Sequence, residues 1–207
     1  MRTLLLFSVA AVAISARPAF AQDNSGGYPA AAPYSTQPAQ PDPASGGAAD
    51  LDRLMLAERQ DFGVPATAEL HSGPMHAPTP NTIPGGQVIT TKGLIPLLAN
   101  QQLNALVFDV LGGPEMIPGA RPAVPASQAG SFSDQNQQQF SQYLQSLTQG
   151  NMNAPLVFYC LSSHCWMSYN ASLRAINMGY KNVLWYRGGI EAWKAAGQQV
   201  QQAQGGQ

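Results

Sequence analysis

Between residues 87 and 197, short apolar runs alternate with stretches of helical periodicity, and Gly or Pro separates them. This alternation constrains the fold more than any other feature of the chain. Val88-Ile89-Thr90 reads as a short strand. A helix follows over 92–101, holding Leu94, Leu97 and Leu98, with Pro96 tolerable only near its start. Residues 105–110 (Ala-Leu-Val-Phe-Asp-Val) form a continuous apolar run closed by Gly112-Gly113-Pro114, the signature of a strand covered on both faces. Asp134 opens a helix to about Thr148, with Phe140, Tyr143, Leu144 and Leu147 at helical spacing and Gly150 as its stop. Then come a strand over 156–159, a helix over 168–178 ended by Gly179, a strand over 183–186, and a helix over 189–196 ended by Gly197. Strand–helix alternation of this kind predicts an α/β fold, a parallel sheet with helices on both faces. In such sheets the working residues lie in loops beyond the carboxyl ends of the strands.

Upstream the composition changes. Residues 1–21 carry a basic start at Arg2, an apolar run over 4–14, and Ala19-Phe20-Ala21, the small-x-small pattern that signal peptidase cuts. The apolar run is about half the ~20 residues that span a bilayer, so export with cleavage before Gln22 is expected, not a membrane anchor. The expected location is the periplasm, and no later segment is apolar for long enough to insert in a membrane. Without Arg2 and Arg17, 8 of the 10 Lys and Arg remain against 11 Asp and Glu, a net charge of −3. That weak negative balance gives no reason to expect nucleic acid as a partner. Residues 22–49, rich in Pro, Gly, Ala and Ser, read as a disordered linker. Residues 50–86 read as a short helix over 51–60, capped by Asp50, and an extended Pro- and Gly-rich arm carrying His71 and His76. No cysteine or carboxylate cluster accompanies these two histidines, so no metal site is expected there. A Gln-rich tail, 201–207, is expected to fray.

The chemistry concentrates where the second buried strand ends, in Cys160-Leu-Ser162-Ser163-His164-Cys165-Trp166-Met-Ser168. A loop that opens a helix gathers unpaired backbone N–H groups, and with the helix dipole these favour an anion. A cysteine there is more thiolate than usual, which suits a nucleophile or a persulfide carrier. Equally, Cys160 fits as a small apolar residue at a strand end. Cys160 and Cys165 are the chain's two cysteines, and in an oxidising compartment they are able to bridge. So short a loop gains little stability from a bridge, so a functional or protective role outweighs a structural one. His164 reads either as a solvated loop residue or as a proton acceptor beside Cys165. Trp166 reads either as a shield for the site or as an anchor for the loop.

Several segments resemble, in order, the rhodanese homology domain. Phe108-Asp109-Val110 is similar to its "DVR" strand, and Ile117-Pro118-Gly119-Ala120 to its "HIPGA" turn. Residues 156–160 are similar to its "VVYC" strand and catalytic cysteine. Residues 179–183 (Gly-Tyr-Lys-Asn-Val) are similar to "GFKNV", and 188–193 (Gly-Gly-Ile-Glu-Ala-Trp) to "GGIxAW". The set covers about 110 of 207 residues. It implies a rhodanese-like three-layer fold over 87–200, with about five parallel strands and sulfurtransferase chemistry at Cys160. The Cys-Trp pair, Met-Ser-Tyr-Asn and the leader resemble the periplasmic CXXCW-motif subgroup associated with PQQ-dependent alcohol catabolism, although here the cysteines are spaced C-x4-C. Three positions depart from the family pattern. No Arg or Lys lies between Cys160 and Ser168; Leu111 replaces the "DVR" arginine; Met116 replaces the "HIPGA" histidine. Arg121 and Arg187 are the candidates to supply charge from neighbouring loops, with Asp109, Ser162, Ser163, Trp166 and Ser168 as further substrate-binding candidates. Without a bidentate guanidinium, a sulfur oxyanion binds more weakly.

Three functions follow. The first is an enzyme, a sulfurtransferase or thiol-redox protein, with Cys160 as nucleophile, Cys165 as resolving thiol and His164 assisting; it needs no cofactor. Its partners would be a small sulfur compound, a protein thiol or a periplasmic redox protein. The second is a metal or cofactor module using Cys160, His164 and Cys165, a crowded set with no visible fourth ligand. The third is a non-catalytic scaffold that binds a partner protein in support of a periplasmic quinoprotein dehydrogenase.

Overall fold

The computed structural model describes residues 43–203. The leader and most of the stretch read as linker lie outside them. The elements in chain order are α1 (Pro43–Glu58), β1 (Gln87–Ile89), α2 (Thr91–Ala99), β2 (Leu106–Asp109), β3 (Glu115–Met116), β4 (Arg121–Pro122), α3 (Gln135–Thr148), β5 (Leu156–Tyr159), α4 (Met167–Asn177), β6 (Val183–Tyr186), α5 (Gly189–Ala195) and β7 (Gln201–Gln202). Five strands form one parallel sheet in the order β1-β6-β5-β2-β4.

The apolar runs become strands because both of their faces are covered. Phe108, Leu156 and Phe158 face α3 and α4, packing with Phe140, Leu144 and Ala171. Their neighbours Val107, Val157 and Tyr159 face the opposite side, against Leu94 of α2 and Ile190 and Trp193 of α5. All four residues of β5 are fully buried, so this central strand ends in the middle of the molecule. Asp134 caps α3 as expected, its carboxylate accepting from the Gln137 N–H at 2.7 Å. The same carboxylate pairs with the fully buried Arg174 of α4 at 2.9 Å, which ties the two helices of that layer together.

Three expectations need correction. Helix α1 begins at Pro43, inside the stretch read as linker, where Ala44, Ala48 and Ala49 supply helix propensity that two glycines do not cancel. Pro96 sits well inside α2 and not near its start. The Gln-rich tail does not fray at its beginning: Gln201 and Gln202 pair antiparallel with Met116 and Glu115, and the Ala203 N–H donates to the Pro114 carbonyl at 2.8 Å. Main-chain pairing needs no apolar side chain, which is why composition alone misses it.

The arm is also more than an extended segment. Between α1 and β1, residues 62–79 lie across the carboxyl edge of the sheet. Val64, Leu70, Met75 and Ala77 pack on a third apolar cluster formed by Ile83, Trp166, Tyr169, Leu173 and Trp185.

Candidate active site

Cys160 follows the last residue of β5, and Cys165 stands two residues before α4. The turn between them folds back, and the two side chains are joined as a disulfide with a Cα–Cα distance of 6.4 Å. Both cysteines are buried. The turn is fixed from beneath by the start of α5. Gly189 has φ +64, and a Cβ there would collide with the carbonyl groups of Cys160 and Leu161. Its lack of a side chain lets the Ile190 and Glu191 N–H groups reach those same carbonyls at 2.9 and 3.1 Å. The second glycine of the "GGIxAW" segment therefore lets the start of α5 cradle the cysteine loop, while Gly188 lies against Glu58 and Ala192.

Besides the bridge to Cys165, one side chain among the described residues hydrogen-bonds the sulfur of Cys160. Ser168, in the first turn of α4, has its Oγ 3.1 Å from Cys160 Sγ. A disulfide sulfur has no proton, so the hydroxyl donates. Ser168 Oγ in turn accepts from Trp185 Nε1 at 2.9 Å. Sequence reading missed Trp185. The available signal was physical: a buried indole N–H in an apolar strand needs an acceptor.

The rest of the loop is held from above by residues 62–79. The carbonyl of Ser163 accepts from both Thr79 Oγ1 (2.7 Å) and the Thr79 N–H (3.3 Å). The Trp166 N–H donates to the Met75 carbonyl at 2.8 Å, and its indole N–H to the Pro78 carbonyl at 3.1 Å. Its ring stacks on His71 with centroids 4.0 Å apart. Trp166 is thus the loop's anchor, and His71 is half-buried against it. His76 stays exposed. His164 is exposed, tilted against the Phe62 ring at 4.7 Å, and hydrogen-bonds neither sulfur. Ser162 accepts a long contact from the His164 N–H at 3.4 Å. Ser162 and Ser163 line a hollow of about 230 Å³ with Glu58, Gly188 and Glu191.

Two candidate cations are not at the sulfur pair. Arg187 is a correction. Its guanidinium is fully buried and every nitrogen is taken: Nε by Thr79 Oγ1 (3.0 Å), Nη1 by the carbonyls of Glu58 and Gln60 (2.7 and 2.8 Å), Nη2 by the Thr79 carbonyl (2.9 Å). It also lies 4.8 Å from the Phe62 ring centroid. It clamps residues 58–79 to the end of β6 through those bonds. Arg121 is exposed on edge strand β4 and lines, with Asp109, Gly112, Met116 and Gln201, a separate cleft of about 790 Å³. Asp109 is buried and accepts from the N–H groups of Leu111 (2.7 Å) and Gly112 (3.3 Å); burial raises its carboxyl above the ordinary range. The structure therefore brings together Cys160, Cys165 and Ser168, with Ser162, Ser163, His164 and Trp166 in the turn around them. Asp109, Arg121 and Arg187 are excluded from that group. Among the described residues no cluster of three His, Cys, Asp or Glu side chains could hold a metal ion.

The family model described as "Rhodanese-like domain" matches residues 98–196. Those residues are a rhodanese-like domain. Thiosulfate sulfurtransferase from Pseudomonas aeruginosa is similar in structure, with a TM-score of 0.44 and 20% identity over 57% of this chain. This chain covers 21% of that protein's length. A Rhodopseudomonas palustris protein of unknown function, described as a possible tyrosine phosphatase, has a TM-score of 0.41 and 22% identity over 56% of this chain and 84% of its own. A Bacillus halodurans protein has a TM-score of 0.42 and 17% identity over 56% and 77%. No curated protein matches the sequence. The rhodanese-like domain has the expected alternation of elements, and its cysteine stands at the end of the central strand.

Proposed function

We propose that the rhodanese-like domain carries out thiol–disulfide exchange through Cys160, with Cys165 as the resolving thiol. The observation that carries this reading is the Cys160–Cys165 bridge at the carboxyl end of β5, with the Ser168 hydroxyl on the Cys160 sulfur. In the reduced chain, the Cys160 thiolate attacks one sulfur of a partner disulfide. A Cys160–partner bond forms, and the partner's second sulfur leaves as a thiolate. Cys165, its proton lost to solvent, then attacks Cys160 Sγ, closes the bridge and releases the partner's first sulfur. The partner gains two electrons and the cysteine pair loses two. The reverse reaction oxidises a dithiol.

The same geometry speaks against efficient thiosulfate chemistry. No Lys or Arg lies in the loop, and every guanidinium nitrogen of Arg187 is bonded elsewhere, which leaves a sulfur oxyanion without an evident bidentate partner. The three-part leader supports export to the periplasm, where the partner is a small sulfur compound, a protein thiol or a redox protein. The likeness of the Cys-Trp pair and Met-Ser-Tyr-Asn to the CXXCW-motif subgroup supports work beside a PQQ-dependent dehydrogenase. The test compares two reactions of the full chain: exchange with a dithiol, and thiocyanate formation from thiosulfate and cyanide. Exchange is expected, and C160S and C165S each abolish it. Thiocyanate turnover that survives C165S would contradict this reading and favour sulfur transfer.

A binding module is the second reading, favoured by the burial of both sulfurs. On that view partner binding survives Cys160→Ser unchanged.

A further inference from the structure

The loop's backbone cradle accounts for where Cys160 sits, and not for how its sulfur is made reactive. Its surroundings work against ionisation. Phe158, Val110, Ala126 and Ala171 belong to the same apolar cluster, and the Cys165 carbonyl oxygen lies 3.3 Å from its sulfur. The titratable groups on the neighbouring elements do not compensate. Asp109 at the end of β2, Tyr186 at the end of β6 and Arg187 just after it, Glu58 of α1, His164 in the turn and Glu191 of α5 make no hydrogen bond to either sulfur. The first four bond elsewhere in the protein, and His164 and Glu191 are exposed. Among the described residues one side-chain donor reaches the sulfur, the Ser168 hydroxyl.

A serine hydroxyl rotates freely and has no fixed direction of its own. Here it is fixed. The indole N–H of Trp185 is a donor only, and it approaches Ser168 Oγ at 2.9 Å. The hydroxyl proton cannot point at another donor, and the acceptor within reach is Cys160 Sγ at 3.1 Å. Trp185, Ser168 and Cys160 are all buried, so no water competes for these bonds. The indole is held in turn by Tyr169, edge to face at 5.0 Å.

We propose that Trp185 is a positioning residue for the cysteine chemistry: it orients the Ser168 hydroxyl onto Cys160 Sγ and so makes Cys160, and not Cys165, the attacking thiolate. This rests on the exchange reading above, which assigns Cys160 the attack and Cys165 the resolution. The chain Trp185 N–H to Ser168 O–H to sulfur polarises along its length, and the bond is strongest when the sulfur is charged.

The test follows thiolate absorbance against pH in the reduced full chain carrying Cys165→Ser, where Cys160 is the single thiol. Its midpoint is expected below about 8.5, the ordinary value for cysteine. Ser168→Ala is expected to cut the thiolate fraction at neutral pH about ten-fold, and Trp185→Phe about three-fold. Ser168→Thr, which keeps the hydroxyl, is expected to restore it. Identical profiles for the parent, Ser168→Ala and Trp185→Phe would overturn the proposal. A midpoint that moves with Trp185→Phe but not with Ser168→Ala would overturn it as well, because the effect would then not pass through the hydroxyl. Ser168→Ala removes only one small side chain atom, so the proposal stays testable if Trp185→Phe folds poorly. Intact mass of the reduced chain with both cysteines, exposed to glutathione disulfide, reports separately on exchange. No adduct and no bridge there would sink the exchange reading itself, whatever the pH profiles show.

Discussion

Arg187 shows how far a single side chain departs from what its charge suggests. In sequence it is a free cation one residue after a strand that ends beside the active loop. In the fold it is a buried brace whose donors fix the carbonyls of Glu58, Gln60 and Thr79 and the Thr79 hydroxyl. Lysine keeps the charge but offers one nitrogen in place of a planar fork, so Arg187→Lys leaves several buried carbonyls unpaired. The expected cost is about 2–4 kcal/mol in denaturant unfolding, with new proteolytic cleavage between residues 60 and 79. Gly189 is constrained in a different way. Ala there adds a Cβ against the Cys160 and Leu161 carbonyls at a positive φ, so Gly189→Ala is expected to cost about 2 kcal/mol or more. It should also slow bridge closure in a stopped-flow exchange assay. Asp134 carries a pH signature. Arg174 beside it holds its carboxyl near 2, below the ordinary 3.8. A depressed folded value stabilises above the unfolded value and is lost as pH falls through the folded one. The pair's contribution, about 1–2 kcal/mol after solvent screening, should therefore disappear between about pH 5 and pH 2. Asp134→Asn should flatten the acid limb of stability measured by urea unfolding.

At the level of elements, the buried strands were the most legible part of the chain, whereas the two-residue strands β3, β4 and β7 left no signal. The expected runs at 156–159 and 183–186 coincide with β5 and β6, because a strand covered on both faces must be continuously apolar. The cysteine loop was legible as a place, since β5 ends and α4 begins around it. Its partners were not legible. The arm reaches the loop through main-chain groups and single polar atoms, such as Thr79 on the Ser163 carbonyl, and these leave no periodic pattern. Asn170 is another such case: its side chain bonds both the N–H and the carbonyl of His71. Because the arm covers the turn, it should govern access to the bridge. Thr79→Val removes the hydroxyl that bonds both Ser163 and Arg187. Reduction of the bridge by dithiothreitol should then quicken several-fold, followed as thiol release over time. An unchanged rate would mean that reductant reaches the bridge by a path the arm does not cover.

For the whole molecule, the rhodanese-like match and the folded body have different extents. The match begins at residue 98, whereas β1, α1 and the arm supply an edge of the sheet, the carbonyls that hold Arg187, and Glu58. The Glu58 carboxylate, its pKa raised by burial, caps the start of α2 through the Thr91 N–H and hydroxyl at 2.7–3.0 Å. The β5 loop is thus finished by a part of the chain that lies before the matched residues. Oxidising chemistry in such a loop depends on the two sulfurs cycling between bridge and thiols. The most direct measurement is the intact mass of the purified chain, acid-quenched and alkylated with and without reductant. The expected result is a chain that takes up no alkylating agent until it is reduced and two equivalents afterwards, with the bridge returning on exposure to a partner disulfide. Two free thiols that never bridge under oxidising conditions, or an extra sulfur carried on Cys160, would contradict thiol–disulfide exchange as the chemistry of this site.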